Sequence, residues 1–345
     1  MERTLPWRWY HDPETLRREE ERIFRRTWQY VGHTGQAEPG GYFAATAGTV
    51  PVVVTRAHDG MLRAFLNVCR HRGSVVAEGA GRRETLQCRY HAWTYGLDGG
   101  LRAAPRSDIE PGFDPQELGL LPLRLETWGP FVFVNADPAA PPLAEALGPI
   151  PQQIAELLDV DALAHRFRTE FEVAANWKVV CENFLECYHC AVAHPGFSGV
   201  VDVAPDAYRL QAEGLTSSQF GPLRMDGDSF LAGGDLPRSQ FHFLWPNFGI
   251  NIFPGRPNLS CGPMLPAGPE RTARFLDYFF APDVDQDWVD ELVAFDDQIG
   301  REDTALVERV QRGIRSGVLD AGRLMTESER LVVHFQALCA EALGE

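Results

Sequence analysis

The sequence predicts an α+β protein in two parts: a small all-β unit, then a larger unit whose helices cover one face of an antiparallel sheet. Three observations carry that expectation. Between residues 42 and 135, short runs of β-formers alternate with glycine-bearing turns. Residues 163–173, LAHRFRTEFEV, alternate strictly, as a half-buried antiparallel strand does. Residues 176–197 and 285–316 instead place apolar side chains at helical spacing.

In chain order, Asp12-Pro13-Glu14 reads as a helix start, with an N-cap, a first-turn proline and an acid, and the helix is expected to reach about Thr27. Strands are predicted at 51–57, 61–68, 84–90, 120–126 and 130–136, with hairpin turns at Asp59-Gly60 and Asp98-Gly99-Gly100. DPAAPP (137–142) has the composition of a linker. Beyond the strand at 163–173 come a helix capped by Asn176, a glycine-rich loop region at 213–235, and strands at 241–245, 248–254 and 272–282. A last helix is expected to open on a capping box, Thr326-x-x-Glu329.

Composition narrows the function. A net charge of −16 excludes a typical nucleic-acid binder, which is basic. No apolar run approaches the ~18 residues that span a bilayer, and the N-terminus lacks the apolar stretch of a secretory signal. The seven cysteines are odd in number and not spaced as a disulfide framework, so a cytoplasmic setting is expected. Outside the motif below, Cys181, Cys187, Cys190, Cys261 and Cys339 read as buried thiols.

The most specific motif lies in the small β unit. Cys69-x-His71 is followed, sixteen residues on, by Cys88-x-x-His91. Two thiolates and two imidazoles could hold one tetrahedral zinc. They could equally hold a [2Fe–2S] cluster, two thiolates on one iron and two imidazoles on the other. Zinc sites usually pair cysteine with cysteine and histidine with histidine, whereas here each loop mixes the two, which suits the cluster.

The larger unit offers a second set. NWKVVCENFLECYHCAVAHPGF (176–197) holds His189, His194 and Glu186, three residues before the first histidine. On one helix the two histidines would stand about 140° apart. They can share an ion only if the helix ends or bulges between them, and Pro195 reads as a stop signal. In the segment 285–316, Asp303 lies four after Ile299 and four before Val307, on the apolar face with Leu292, Phe295, Leu306 and Val310. A bare carboxylate there needs a metal or a partner such as Arg309. Asp296 and Glu302 are the rival acids. Two imidazoles and one carboxylate form the facial triad of non-haem Fe(II) oxygenases.

CRHRGS (69–74) with CRYHAWTYGLDG (88–99) resembles the Rieske iron–sulfur signature, and the 176–197 segment resembles the catalytic helix of the α subunits of Rieske non-haem iron oxygenases. The resemblance runs from about residue 25 to 312. It implies a helix-grip-like catalytic domain, with boundaries at 1–40 (an N-terminal helical segment packing on the catalytic domain), 41–140 (Rieske domain) and 141–345 (catalytic domain). It further implies Cys69, His71, Cys88 and His91 as [2Fe–2S] ligands; His189, His194 and Asp303 on mononuclear Fe(II); and Glu186 as a catalytic bridge from one subunit's cluster to its neighbour's iron. Arg89 departs from the proline many relatives carry, beside a cluster ligand. The implied assembly is an α3 homotrimer using O2, with NAD(P)H electrons arriving through a separate flavin/iron–sulfur reductase, with or without a ferredoxin. No Gly-x-Gly-x-x-Gly dinucleotide fingerprint is present in the chain itself.

Within that family, ECYHC, FLWPNFGINIFPG (243–255) and LPAGPERT (265–272) are most similar to the branch acting on choline, carnitine and betaines. The expected reaction is hydroxylation beside a quaternary nitrogen, or N-demethylation. An aromatic cage suits such a cation, and Tyr208, Phe220, Trp245 and Phe253 are the candidates. Hydroxylation or O-demethylation of an aromatic ring or aryl acid is the rival reaction. A stand-alone Rieske electron carrier, needing only residues 42–136, is the rival class.

Overall fold

Alternation over 42–135 builds sheets, as the sequence predicts. In the computed structural model, which describes residues 2–224, 229–232 and 234–345, Phe24–Leu143 form one unit. Its main sheet has seven antiparallel strands in the order Gln29–His33, Phe131–Asn135, Pro122–Trp128, Leu62–Leu66, Val50–Arg56, Gly41–Ala47, Ala80–Arg82. Both faces are covered: Val52 and Val54 enter one apolar cluster, while Val53 enters another with Phe65, Leu86 and Tyr95. Leu86 and Tyr95 come from a second sheet of three short strands, Thr85–Gln87, Thr94–Gly96 and Leu101–Ala103.

The second unit is Ala144–Glu345 with the N-terminal stretch up to Ile23. Its sheet also has seven antiparallel strands, in the order Ala164–Val173, Arg271–Phe280, Asn258–Gly268, Phe248–Ile252, Arg238–Leu244, Thr216–Pro222, Arg209–Glu213. The helix Gln286–Ile314 packs on it through Trp288, Val289 and Leu292, which share a core with Leu276, Tyr278 and Phe280 of the sheet. The N-terminal stretch anchors the helix Trp177–Phe184. Buried Glu19 accepts from Trp177 Nε1 at 2.8 Å and pairs with buried Lys178 Nζ at 2.5 Å. No described helix is long and apolar enough to cross a membrane.

Several expectations change. The first α-helix covers only Pro13–Glu19 and continues as a π-turn over Glu20–Phe24 rather than reaching Thr27. Residues 24–40 lie in the β-rich unit and supply its strand Gln29–His33, instead of staying with the N-terminal segment. Within the 213–235 stretch that reads as loop, Thr216–Pro222 is strand, and 225–228 and 233 lie outside the described residues. The strand Asn258–Gly268 hides behind Gly262, Pro263 and Pro266. The capping box at Thr326 does not form: Glu329 is itself the N-cap of Arg330–Leu343, and its Oε2 accepts from the Met325 amide. Val310, assigned to the buried face of the late helix, is half exposed.

Candidate active site

The Asn176 side chain caps Trp177–Phe184 by accepting from Lys178 N at 3.0 Å. That helix stops at buried Leu185, so Glu186 and His189 stand in the turn beyond it rather than on a helical face. Tyr188, in the same turn, is 60% exposed. A single turn, Cys190–Ala193, then leads to His194, and Pro195 opens the next helix, Pro195–Val200, instead of ending one. This break removes the angular separation that one continuous helix would impose. The two imidazoles meet with His189 Nε2 and His194 Nε2 3.1 Å apart.

Asp303, from the middle of Gln286–Ile314, completes the cluster. Its Oδ1 lies 3.0 Å from His194 Nε2 and 3.3 Å from His189 Nε2, and it accepts from Asn183 Nδ2 at 3.1 Å. Ligands at ~2.1 Å and right angles around one ion are ~3.0 Å apart, so these three atoms have the spacing of one face of an octahedron. The rival acids are engaged elsewhere. Tyr278 donates to Asp296 Oδ2 at 2.7 Å, and Glu302 Oε2 meets His194 Nδ1 at 2.7 Å.

The outer contacts fix the tautomers. Glu186 Oε1 contacts His189 Nδ1, and its Oε2 accepts from the His189 amide at 3.1 Å. An ionised carboxylate only accepts, so each Nδ1 carries a proton, and in the neutral ring that binds a metal each Nε2 turns a lone pair inward. Burial alone would lower the His189 pKa, but hydrogen bonds to Asp303 and Glu186 outweigh it and hold the metal-free ring at about 10. Burial would likewise raise Asp303, yet both histidines hold it down at about 2. Glu302 stays below its ordinary range because His194 and Gln298 overcome its desolvation. Asp296, facing no cation at bonding distance, is pushed up by burial to about 6.

A cavity of about 700 Å³ opens onto this cluster and is walled by aromatic side chains, among them Phe197, Tyr208, Phe241 and Phe253. Phe220 and Trp245 are buried outside its lining: Phe220 packs against His242 and under Arg209, and Trp245 belongs to the core. The sequence missed Phe197 and Phe241: Phe197 lies tilted against Phe241 at a centroid distance of 5.9 Å, and Phe241 meets Phe253 edge to face at 5.6 Å. Cys187 and Cys190, read as thiols, form a disulfide on either side of His189.

In the β-rich unit the two cysteine loops share one geometry. Cys69 N donates to Ser74 O and Gly73 N to Cys69 O; Cys88 N donates to Trp93 O and Ala92 N to Cys88 O. The fourth residue after each cysteine is left-handed, Gly73 with φ 75° and Ala92 with φ 56°, a conformation glycine adopts freely and alanine does not. The loops present Cys69 and Cys88 as buried free thiols and bring the His71 and His91 rings within 4.7 Å. His71 also stacks on Trp93 at 5.0 Å. Burial pushes the Cys88 thiol up, but the amides of Tyr90 and His91 and contacts with Cys69 and Ser74 bring it below its ordinary value. Tyr95 Oη lies 3.3 Å from Cys69 Sγ.

Two family models account for this pairing of sites. The Rieske [2Fe-2S] domain matches residues 27–114, and the ring hydroxylating alpha subunit (catalytic domain) matches residues 160–345. Relatives extend the match along the chain. The carnitine monooxygenase oxygenase subunit of Acinetobacter pittii is 34% identical over 98% of this chain and 94% of its own length. The chloroplastic choline monooxygenase of Spinacia oleracea is 32% identical over 99% of this chain and 78% of its own. The chain belongs to the α subunits of the ring-hydroxylating Rieske oxygenases.

A crystal structure of a quaternary ammonium Rieske monooxygenase with L-carnitine has the same fold, with a TM-score of 0.86 at 31% identity, covering 99% of this chain and 95% of the other. The present oxygenase is accordingly an enzyme with a Rieske [2Fe–2S] cluster and a mononuclear iron. Its side chains fit both groups. Two inward lone pairs and one carboxylate oxygen converge beside the cavity, and two thiols and two imidazoles stand on paired loops.

Proposed function

We propose that this oxygenase hydroxylates a carbon next to the nitrogen of a small quaternary ammonium compound, with loss of a methyl group or cleavage of the C–N bond as the outcome. The observation that carries this is the aromatic-walled cavity beside the His189–His194–Asp303 cluster. A quaternary ammonium has no N–H to donate, so its recognition falls to ring faces and to nearby negative charge. Phe197, Tyr208, Phe241 and Phe253 supply the faces, and Asp296 and Glu170 are acids in the same lining. The choline and carnitine monooxygenases among its relatives support the same substrate class.

In this reading His189, His194 and Asp303 hold the iron, and Cys69, His71, Cys88 and His91 hold the cluster. When bound, the ferrous ion supplies open positions for dioxygen and the cluster supplies electrons singly. The chain's own residues do the rest. Glu186 and Glu302 orient the two imidazoles, Asn183 steadies Asp303, and the aromatic wall keeps water from the reacting carbon.

Glu186 has a second role in the proposal, as the bridge from this iron to a partner subunit's cluster. Exposed Tyr188 and Val192 (60% and 89%) flank it, while His71, Tyr90 and His91 are exposed on the cluster loops. Burying both surfaces against a second copy would suit an α3 ring. Electrons would come from NAD(P)H through a separate reductase in the cytoplasm.

The test is His189→Ala. Mononuclear iron and NADH-dependent O2 uptake with a quaternary ammonium substrate are expected to be lost while the red-brown cluster absorption persists. Turnover that survives the change would overturn the assignment.

A further inference from the structure

Recognition of a cation leaves one cavity residue without a task. Two arginines line the cavity, and Arg301 is taken by Asp297, Nη1 to Oδ2 at 3.0 Å. Arg274 has no hydrogen-bonded acceptor among the described residues, and its Nε is sealed from solvent with no partner. Its placement is set by the sheet. Arg274, Leu276 and Tyr278 alternate along Arg271–Phe280 and line the cavity, and across the ladder they face Phe171, Thr169 and Phe167. The guanidinium lies over the Phe171 ring at 5.2 Å, which restrains it without satisfying its donors.

Four residues further along that strand the character reverses, because Tyr278 donates to the half-buried Asp296. At ~3.4 Å per residue the two positions are ~13 Å apart along the backbone. The cavity therefore has a cationic donor fork at one position and a carboxylate near aromatic rings at the other. Guanidinium stays protonated even where burial lowers its pKa, as it does here. A partly buried cation whose planar donors lack a protein acceptor suits a carboxylate.

We propose that Arg274 binds the carboxylate of a zwitterionic substrate, so that the oxygenase selects trimethylammonium compounds ending in a carboxylate over those ending in a neutral group. This rests on the quaternary ammonium reading above and narrows it. Aromatic faces hold the ammonium and Arg274 fixes the opposite end, leaving the carbon between them to be aimed at the metal.

The experiment compares γ-butyrobetaine with its methyl ester, which keeps the cation and chain length and removes only the anionic charge. Steady-state O2 uptake is measured with holoenzyme and a competent reductase, for wild type, R274Q and R274K. The wild type is expected to favour the acid by at least tenfold in kcat/KM, a factor of the size a charge-assisted hydrogen bond supplies. The difference should lie in KM more than in kcat. R274Q is expected to collapse the acid-to-ester ratio toward one, and R274K to restore part of it. Cluster absorption and iron content certify that each variant is folded.

Wild-type enzyme that treats acid and ester alike would overturn the role of Arg274 without any variant and leave the quaternary ammonium reading standing. So would an acid-to-ester ratio unchanged in R274Q. Wild-type enzyme that oxidises neither compound, nor choline, would remove the underlying reading and this inference with it.

Discussion

Glu302 gives the sharpest test of how the iron site is held. Its Oε2 meets His194 Nδ1 at 2.7 Å, and Gln298 Nε2 donates to its Oε1 at 3.1 Å, so the carboxylate is itself positioned. The His194 side chain is 2% exposed and that of Glu302 29%. Truncation to alanine thus leaves a buried N–H whose replacement partner is water entering from the Glu302 side. Loss of such an outer partner typically lowers metal affinity 10- to 100-fold, about 1.4 to 2.7 kcal/mol. Partial access for water places E302A toward the lower end. Glu302→Gln keeps a carbonyl acceptor, loses the charge, and is expected to fall between wild type and E302A. The assay is iron retention against a graded series of ferrous chelators, with the cluster absorption of each sample as internal count of folded chains. If E302A held iron as tightly as wild type, the carboxylate would not be what orients His194. If E302Q were as weak as E302A, charge rather than orientation would be the operative term.

Two further outcomes follow from buried groups. Glu182 accepts from Tyr10 Oη at 2.6 Å and from Gln336 Nε2 at 2.9 Å, and burial raises its pKa from 4.5 to about 7. A raised acid contributes stability that is complete below pH 4.5 and lost as pH rises through 7, on the order of 3 kcal/mol in all. Thermal melts of E182Q are therefore expected to lose less stability than wild type between pH 5 and 8, and parallel pH profiles would refute the buried-acid account. Tyr95→Phe removes the hydroxyl 3.3 Å from Cys69 Sγ. Because a donor to sulfur favours the more negative reduced cluster, the reduction potential is expected to fall, by about 40 mV for ~1 kcal/mol. An unchanged midpoint in redox titration would show that the hydroxyl does not point at the sulfur.

The parts of this molecule that are local in sequence were legible in it. Cys69, His71, Cys88 and His91 sit on two short loops, and each loop carries its own cysteine–histidine pair and its own turn. The strand at Ala164–Val173 was legible because strict alternation has one explanation. What sequence could not settle was where a helix stops. Leu185 through Ala193 contains no glycine or proline, so nothing local announces the turn that frees His189 from the helix. Helical spacing likewise left Asp296 and Asp303 as rivals on one face, with Glu302 further from its middle. Their partners separate them: Tyr278 engages Asp296, Glu302 meets only the outer His194 Nδ1, and Asp303 reaches both Nε2 atoms. Aromatic composition named Phe220 and Trp245 as readily as Phe253, because whether a ring faces a cavity or a core depends on strand register. Register came partly from the strand Asn258–Gly268, which its own prolines disguised.

The acidity of the site connects its two tasks. In the metal-free cluster, the contacts that hold His189 at about 10 and Asp303 at about 2 keep a proton among the donors at neutral pH. A divalent ion must displace that proton, so binding releases it and is favoured as pH rises. Glu186 and Glu302 lower the cost of that exchange, because they have already committed both Nδ1 atoms and turned the lone pairs inward. The same surplus of carboxylates gives the cavity a negative potential that draws in a quaternary cation and repels a free carboxylate. A zwitterion meets both effects at once. It can settle only if its anionic end finds a compensating charge, and of the two arginines in the lining, Arg274 is the one without a hydrogen-bonded acceptor among the described residues.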